Sequence, residues 1–329
     1  MYELYLSNPN EIELRNVESP SPKEDEVKLK MIYGGICGSD LGVYQGKLQH
    51  ATYPLRPGHE LLGTIIEAGP DAKYEVGTRV VVLPNTFCGQ CEMCVKDHTN
   101  LCVNKKSMGV NIDGGFSEEF IVSSKFVLPL PPDLPDEKAV LIEPLSVVVH
   151  ALNKVDITKG TSVAVVGCGN EGMLAVALST FLGAQVTAID IQLQKLERAR
   201  KVWNVQTIHL QELKNETFDV VIEAAGTKSS VERAIQLVKK GGALVIIGLA
   251  QEANFPITHI VRNELSIYGS IIYNFPSDYF KSIEFLQDPS FNVKYVVSQI
   301  VPFREYQQAY QTALSGSCGK IILNFKEAT

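Results

Sequence analysis

The sequence predicts a doubly wound parallel α/β domain inserted into a smaller antiparallel β domain. Two textures and a tail carry this expectation. From about residue 145 to 277, apolar runs without polar alternation are interleaved with helical patterns, as in a parallel sheet covered on both faces. Residues 1–140 instead hold short β-type runs separated by Gly and Pro, as in an antiparallel sheet or barrel. The tail is too short to stand alone and is expected to rejoin the first domain. The expected segments are therefore 1–144, 145–277 and 278–329.

In chain order, the first segment offers the runs Glu26–Ile32, Leu62–Ala68, Arg79–Leu83, Glu119–Val122 and Phe126–Leu128. The second opens with the apolar strand Ser162–Val166, a glycine turn and a helical pattern over Gly172–Leu182. Strand Gln185–Ile189, a charged helix Leu193–Val202, strand Phe218–Glu223, helix Ser230–Lys239, and strands Ala243–Ile247 and Ser266–Ile271 follow. The tail reads as helix Tyr279–Leu286, strand Tyr295–Gln299, helix Glu305–Leu314 and strand Lys320–Phe325.

A chain of 329 residues suits two domains of roughly 150 residues each. Its 45% hydrophobic and 20% charged residues support a sizeable core and exclude general disorder. The net charge of -7 argues against nucleic acid or an anionic membrane as the main partner. The start, MYELYLSNPN, lacks the basic and apolar regions of a secretory signal, so a cytoplasmic location is expected. The longest uncharged apolar window, Gly172–Ile189, is broken by Gly183, Gln185 and Thr187. It reads as a buried helix and strand rather than a membrane span.

Gly167-Cys168-Gly169-Asn170-Glu171-Gly172 fits GxGxxG after a strand and before a helix, the context that gives this pattern meaning. Gly167 would make the tight turn, Gly169 would admit a pyrophosphate, and Gly172 would let helix and strand pack closely. Asp190 ends the next strand, where a carboxylate accepts from ribose hydroxyls and repels a 2′-phosphate. NAD is therefore expected over NADP, with a solvated strand end or the cap of the following helix as the alternative roles for Asp190. Glu171 is an awkward neighbour for a pyrophosphate unless it points outward.

Four of the seven cysteines, Cys88, Cys91, Cys94 and Cys102, fall within fifteen residues. This spacing suits four thiolates on one tetrahedral zinc with no open position, hence a structural site. Disulfides, free thiols or an iron–sulfur cluster are the alternatives. A second, scattered set comprises Cys37 in GICGSD, His59 and Glu60 in GHE, and Glu143 in EPLS. One Cys, one His and one or two carboxylates suit a zinc with room for water or substrate.

These motifs, with GGFSEEF from Gly114, occur in one order along nearly the whole chain. Together they resemble the zinc-containing medium-chain dehydrogenase/reductase family, in its sorbitol dehydrogenase branch. The resemblance implies a GroES-like β domain with an inserted Rossmann domain, two zinc ions per chain, and a homodimer or homotetramer. It also implies that Cys37, His59 and Glu60 are catalytic zinc ligands, and that Glu143 enters the shell or holds its water. Asp40 then orients His59, Ser39 contacts the reacting alcohol, and His150 packs near the domain boundary.

Two departures from that branch stand out: Gly42 replaces a relay His, and Ile272 replaces a substrate-clamping Arg. Galactitol-1-phosphate dehydrogenases are similar in lacking both. The expected activity is zinc-dependent hydride transfer between a secondary hydroxyl of a polyol or sugar derivative and NAD. A polyol-phosphate dehydrogenase, a threonine 3-dehydrogenase-like enzyme and a catalytically silent zinc- and NAD-binding scaffold are the rivals. Lys47, Arg56 and Arg262 are the candidate phosphate-binding cations.

Overall fold

The computed structural model describes residues 1–326. Its elements begin with β1 (Tyr2–Asn8), β2 (Glu11–Asn16), β3 (Glu26–Ile36), α1 (Gly38–Tyr44), β4 (Glu60–Ala68), β5 (Arg79–Val82) and α2 (Glu92–Val95). Next come β6 (Glu119–Ser123), β7 (Val127–Pro129), α3 (Asp136–Ala139), α4 (Ile142–Leu152), β8 (Ser162–Val166), α5 (Asn170–Phe181), β9 (Gln185–Asp190), α6 (Leu193–Trp203) and β10 (Gln206–His209). The chain continues with β11 (Phe218–Glu223), α7 (Lys228–Ala234), β12 (Val238–Ile246), α8 (Ile257–Asn263), β13 (Ser266–Gly269), α9 (Ser277–Gln287), β14 (Val297–Pro302), α10 (Tyr306–Leu314) and β15 (Lys320–Asn324). None of the described helices is long and apolar enough to cross a membrane.

The chain divides into two units, one formed by Met1–Glu143 with the segment from Val297 onward, the other by Pro144–Val296. In the first unit a sheet runs β14-β15-β3-β4-β5-β7, with β6 also paired to β3. Most pairs are antiparallel, but β14 and β15 pair in parallel. Strand β15 pairs antiparallel with β3, which is how the tail rejoins the first unit. Alternate residues of β3, Val27, Leu29 and Met31, enter the core with Ile65, Val80, Val82, Ile321 and Leu323.

The second unit holds a six-stranded parallel sheet in the order β10-β9-β8-β11-β12-β13, the arrangement of a Rossmann domain. Strands β8, β9 and β11 are buried along most of their lengths, as coverage on both faces requires. Helix α5 buries every residue from Gly172 to Ser179.

Two details depart from the sequence reading. The return to the first unit comes at Val297 rather than 278, because α9 belongs to the second unit. Buried Asp278 accepts from Asn274 N at 2.7 Å and Asn153 Nδ2 at 3.1 Å, and lies 2.9 Å from His150 Nδ1. That network ties α9 to α4. The helix expected over Ser230–Lys239 stops early, because Val238 is already paired with Phe218 in the sheet and Gly241 turns the chain at φ 73°.

Candidate active site and metal centres

The cofactor turn follows from steric need. Gly167 has φ 94°, and a Cβ there would lie 2.7 Å from Ala225. A Cβ on Gly172 would lie 1.8 Å from the Gly167 carbonyl oxygen, so only glycine permits this helix–strand approach. A Cβ on Gly169 would meet nothing within 4 Å, leaving its backbone open to a ligand. Asp190 is buried, and its carboxylate accepts from Cys168 N at 2.6 Å and Gln192 N at 2.8 Å. The N-cap position of α6 is Gln192, whose side chain makes no capping bond, and Asp190 lies two residues before it. Burial and the charge of Asp190 push the Cys168 thiol well up, so it is an inert part of the turn.

The four clustered cysteines converge, with ligand atoms all within 4.8 Å of one another. Cys91 and Cys94 Sγ are 3.5 Å apart, Cys91 and Cys102 3.9 Å, and Cys102 and Cys88 3.6 Å. Four sulfurs at about 2.3 Å from one tetrahedral ion would be spaced by about 3.8 Å, so the set fits zinc. All four are free thiols rather than disulfides. Backbone N–H groups of Gln90 and Cys91 pull Cys88 down to about 6, while burial pushes Cys94 up to about 12. This quartet needs a cation before every sulfur can ionise.

The second set is assembled from β3, α1 and β4. Cys37 stands where β3 passes into α1, and its N–H donates to Asp40 Oδ2 at 2.9 Å. Asp40 is almost wholly buried; its other oxygen accepts from Gly58 N at 3.2 Å and lies 3.2 Å from His59 Nδ1. Burial disfavours charge on His59, but Asp40 and Cys37 outweigh it and hold its pKa well above the usual value. With Nδ1 facing Asp40, His59 presents Nε2 outward, where Ser39 Oγ lies 3.2 Å away.

Ligand atoms of Cys37, His59 and Glu60 lie within 4.8 Å of one another. This mixed sulfur, nitrogen and oxygen set leaves an open position and fits catalytic zinc. Glu143 is buried in the first turn of α4 and is not part of that three-residue set.

Lys320, at the head of β15, was not singled out in the sequence. It has no solvent exposure and donates to Glu60 Oε1, 260 positions earlier in the chain. A buried charge in a strand without an obvious partner was the one sequence signal that could have marked it. Gly35 faces Glu60 in the β3–β4 register, and a Cβ on it would fall 2.0 Å from Glu60 Oε2. At Gly42, a Cβ would meet the Leu48 side chain at 3.2 Å, so an apolar group fills the side where a relay His would project.

Two of the candidate phosphate cations can be described within their own units. Arg56 is committed to Glu3 at 2.6 Å and the Gly114 carbonyl at 2.5 Å, while Arg262 is exposed on α8 in the other unit.

A Rossmann-ordered sheet with a dinucleotide turn, joined in one chain to a structural and an open zinc-type ligand set, defines a zinc-binding dehydrogenase. Residues 23–132 match the Alcohol dehydrogenase GroES-like domain and residues 172–288 match the Zinc-binding dehydrogenase domain. The chain is 32% identical to sorbitol dehydrogenase of Bacillus subtilis, over 97% of its own length and 95% of the relative's. Its structure is similar to galactitol-1-phosphate dehydrogenase of Escherichia coli, with TM-score 0.91, 27% identity and coverage of 98% and 100%. It is also similar to a zinc-binding dehydrogenase of Sinorhizobium meliloti bound to NADP, with TM-score 0.91, 27% identity and coverage of 98% of each chain. The chain belongs to the zinc-binding alcohol dehydrogenase family, and is an oxidoreductase that uses zinc and a nicotinamide cofactor.

Proposed function

We propose that this enzyme oxidises a secondary hydroxyl of an unphosphorylated polyol or sugar derivative with NAD, and reduces the corresponding ketone in reverse. The observation that carries the reading is Ser39 Oγ, 3.2 Å from the outward nitrogen of His59 beside Cys37 and Glu60. Cys37, His59 and one or both of Glu60 and Glu143 would hold the catalytic zinc, and Cys88, Cys91, Cys94 and Cys102 the structural one. A zinc ion in the first set would supply Lewis acidity toward a hydroxyl oxygen, and a bound nicotinamide would supply the hydride acceptor. Asp40 fixes the His59 ring so that Nε2 faces the site. Ser39 receives the substrate hydroxyl proton on Oγ and passes it outward. Leu48 closes the side that a relay histidine at Gly42 would use. Burial of Asp40, His59 and Glu60 keeps water from screening their charges.

The NAD preference rests on Asp190, whose carboxylate sits against the glycine turn and would repel a 2′-phosphate. The polyol class is supported by the similarity to sorbitol dehydrogenase, and the lack of a phosphate by the commitment of Arg56 to Glu3. A homodimer or homotetramer is supported by the edge strand β13, where Tyr268 is exposed, together with Ile271 just beyond the strand and Ile257 and Val261 on α8. Zinc-thiolate chemistry suits the reducing cytoplasm. The test is the appearance of NADH absorbance with a panel of polyols and their phosphates at two ionic strengths. Turnover of neutral polyols with a salt-independent KM is expected; turnover of phosphates alone, with a KM rising steeply with salt, would refute the reading.

A further inference from the structure

We propose that His209 is a cofactor-specificity residue: it anchors the turn after Asp190 and walls off a 2′-phosphate with a ring whose two nitrogens are already engaged. The inference rests on the NAD reading above and gives a role to a residue outside the glycine turn and Asp190.

The sheet order places His209. Strands β8, β9 and β10 are neighbours, with β10 at the edge of the sheet. The glycine turn follows β8, Asp190 closes β9, and His209 closes β10 opposite Asp190 in the parallel register. Ligands of such sheets lie across the carboxyl ends of the strands. With a pyrophosphate over the glycine turn and a ribose at Asp190, the end of β10 is the wall that a 2′-substituent meets.

Two hydrogen bonds fix the chemistry of that wall. His209 Nε2 lies 3.0 Å from the Ile191 carbonyl oxygen, which can only accept, so Nε2 carries the hydrogen. Nδ1 lies 3.3 Å from Gln211 N, whose N–H can only donate, so Nδ1 carries a lone pair. The ring in this arrangement is neutral and has no N–H left for a phosphate oxygen. The Ile191 bond also acts on Asp190, whose carboxylate accepts from Cys168 N at 2.6 Å and Gln192 N at 2.8 Å. Ile191 stands between Asp190 and Gln192, so anchoring its carbonyl keeps the Gln192 N–H on the carboxylate. The Ile191 side chain is 63% exposed and gives this turn no burial of its own. The competing view is that His209 only caps the short turn Leu210–Glu212. That role predicts lost stability, or equally weakened binding of every adenosine ligand. A specificity role predicts a changed ratio between two ligands that differ only in the 2′-phosphate.

The experiment is calorimetry on the full, zinc-loaded chain with ADP-ribose and ADP-ribose 2′-phosphate. Ionic strength is fixed and the pH is about 8, where the 2′-phosphate is a dianion. Neither probe carries a nicotinamide, so the result is independent of turnover. Wild type is expected to prefer ADP-ribose. His209→Phe keeps a ring without either nitrogen, and should narrow that preference by about three- to tenfold, the worth of one hydrogen bond. His209→Gln can still donate to the Ile191 carbonyl and should keep most of the preference; a loss equal to that of His209→Phe overturns the Ile191 anchor. His209→Arg cannot accept from Gln211 N and adds a cation, so it should narrow the preference by about tenfold or more. Lys195 of α6, whose charge acts with that of Asp190 on the Cys168 thiol, is common to all variants, so the ratio isolates His209. An unchanged ratio in folded His209→Phe overturns the proposal, even if both probes bind more weakly. If His209→Phe does not fold, equal ratios in His209→Gln and His209→Arg overturn it instead. A wild type that binds the phosphorylated probe as tightly as ADP-ribose, or more tightly, overturns the NAD reading and this inference with it. A wild type that prefers ADP-ribose, with the ratio unmoved by substitution, overturns the role of His209 alone.

Discussion

Replacing Gly35 with alanine should damage the catalytic centre through the strand beneath it. The added methyl would lie 2.0 Å from Glu60 Oε2 and 3.1 Å from Glu60 Cβ and Cδ. Ordinary contact begins at 3.4 Å, so the carboxylate must move, or β3 and β4 must part. The Glu60 carboxylate is pinned on its other oxygen by Lys320 and has no solvent to move into. If the ion pair survives the shift, overpacking should cost about 1–3 kcal/mol. If the pair breaks, the cost should rise to about 3–5 kcal/mol. Gly38, three residues on, is the internal control. A Cβ there meets nothing within 4 Å, so Gly38→Ala should be neutral or stabilise by up to about 1 kcal/mol. Urea unfolding of the three proteins gives the stability differences, and metal analysis gives zinc per chain. Gly35→Ala should unfold at clearly lower urea and lose zinc from the catalytic site while keeping the structural ion. If Gly35→Ala matches wild type in both measurements, the carboxylate does not lie against Gly35 and the reasoning fails.

Three further outcomes are expected. Cys102→Ser should lose one of two zinc ions and lower the melting temperature, because the sulfur spacing fits one tetrahedral ion whose binding contributes to folding; metal analysis with calorimetry checks this. Asp190→Ala should narrow the preference for NAD over NADP in kcat/KM, and a wild-type preference for NADP would reverse the assignment. Asp219 is held down to about 2, chiefly by its hydrogen bond with Ser162 and also by Lys239. A lowered folded-state pKa stabilises above the unfolded value near 3.8 and loses that contribution as pH falls toward about 2. Asp219→Asn should therefore be less stable than wild type at neutral pH by about 1 kcal/mol at most, since the group is nearly half exposed, with the gap closing in acid unfolding curves.

Much of the fold was legible because it is written in local periodicity. Strands β8 and β11 coincide with the runs Ser162–Val166 and Phe218–Glu223, whose short stretches rich in β-branched residues, Val163–Val166 and Val220–Ile222, suit a strand buried on both faces. The cysteine quartet and the glycine turn were legible because their chemistry is confined to short loops, where spacing alone brings the groups together. The hairpin β1–β2, strand β10 and helix α8 were not read. Strand β2 and helix α8 have no fully buried residue, and the four residues of β10 are held by parallel pairing to β9 rather than by a pattern of their own.

What the sequence determined by itself was therefore the class of each layer, the glycine turn, and the residue types of both candidate ligand sets. Each follows from groups that lie within a few residues of one another, or from a period set by the backbone. Only the tertiary structure decided that Arg56 is consumed by Glu3, that α9 stays with the parallel sheet through Asp278, and that Lys320 meets Glu60. Those facts depend on strand register and on pairings between distant segments. A lysine near the end of the chain has the same local pattern whether it faces solvent or a buried carboxylate, and the β15–β3–β4 register puts it against the carboxylate.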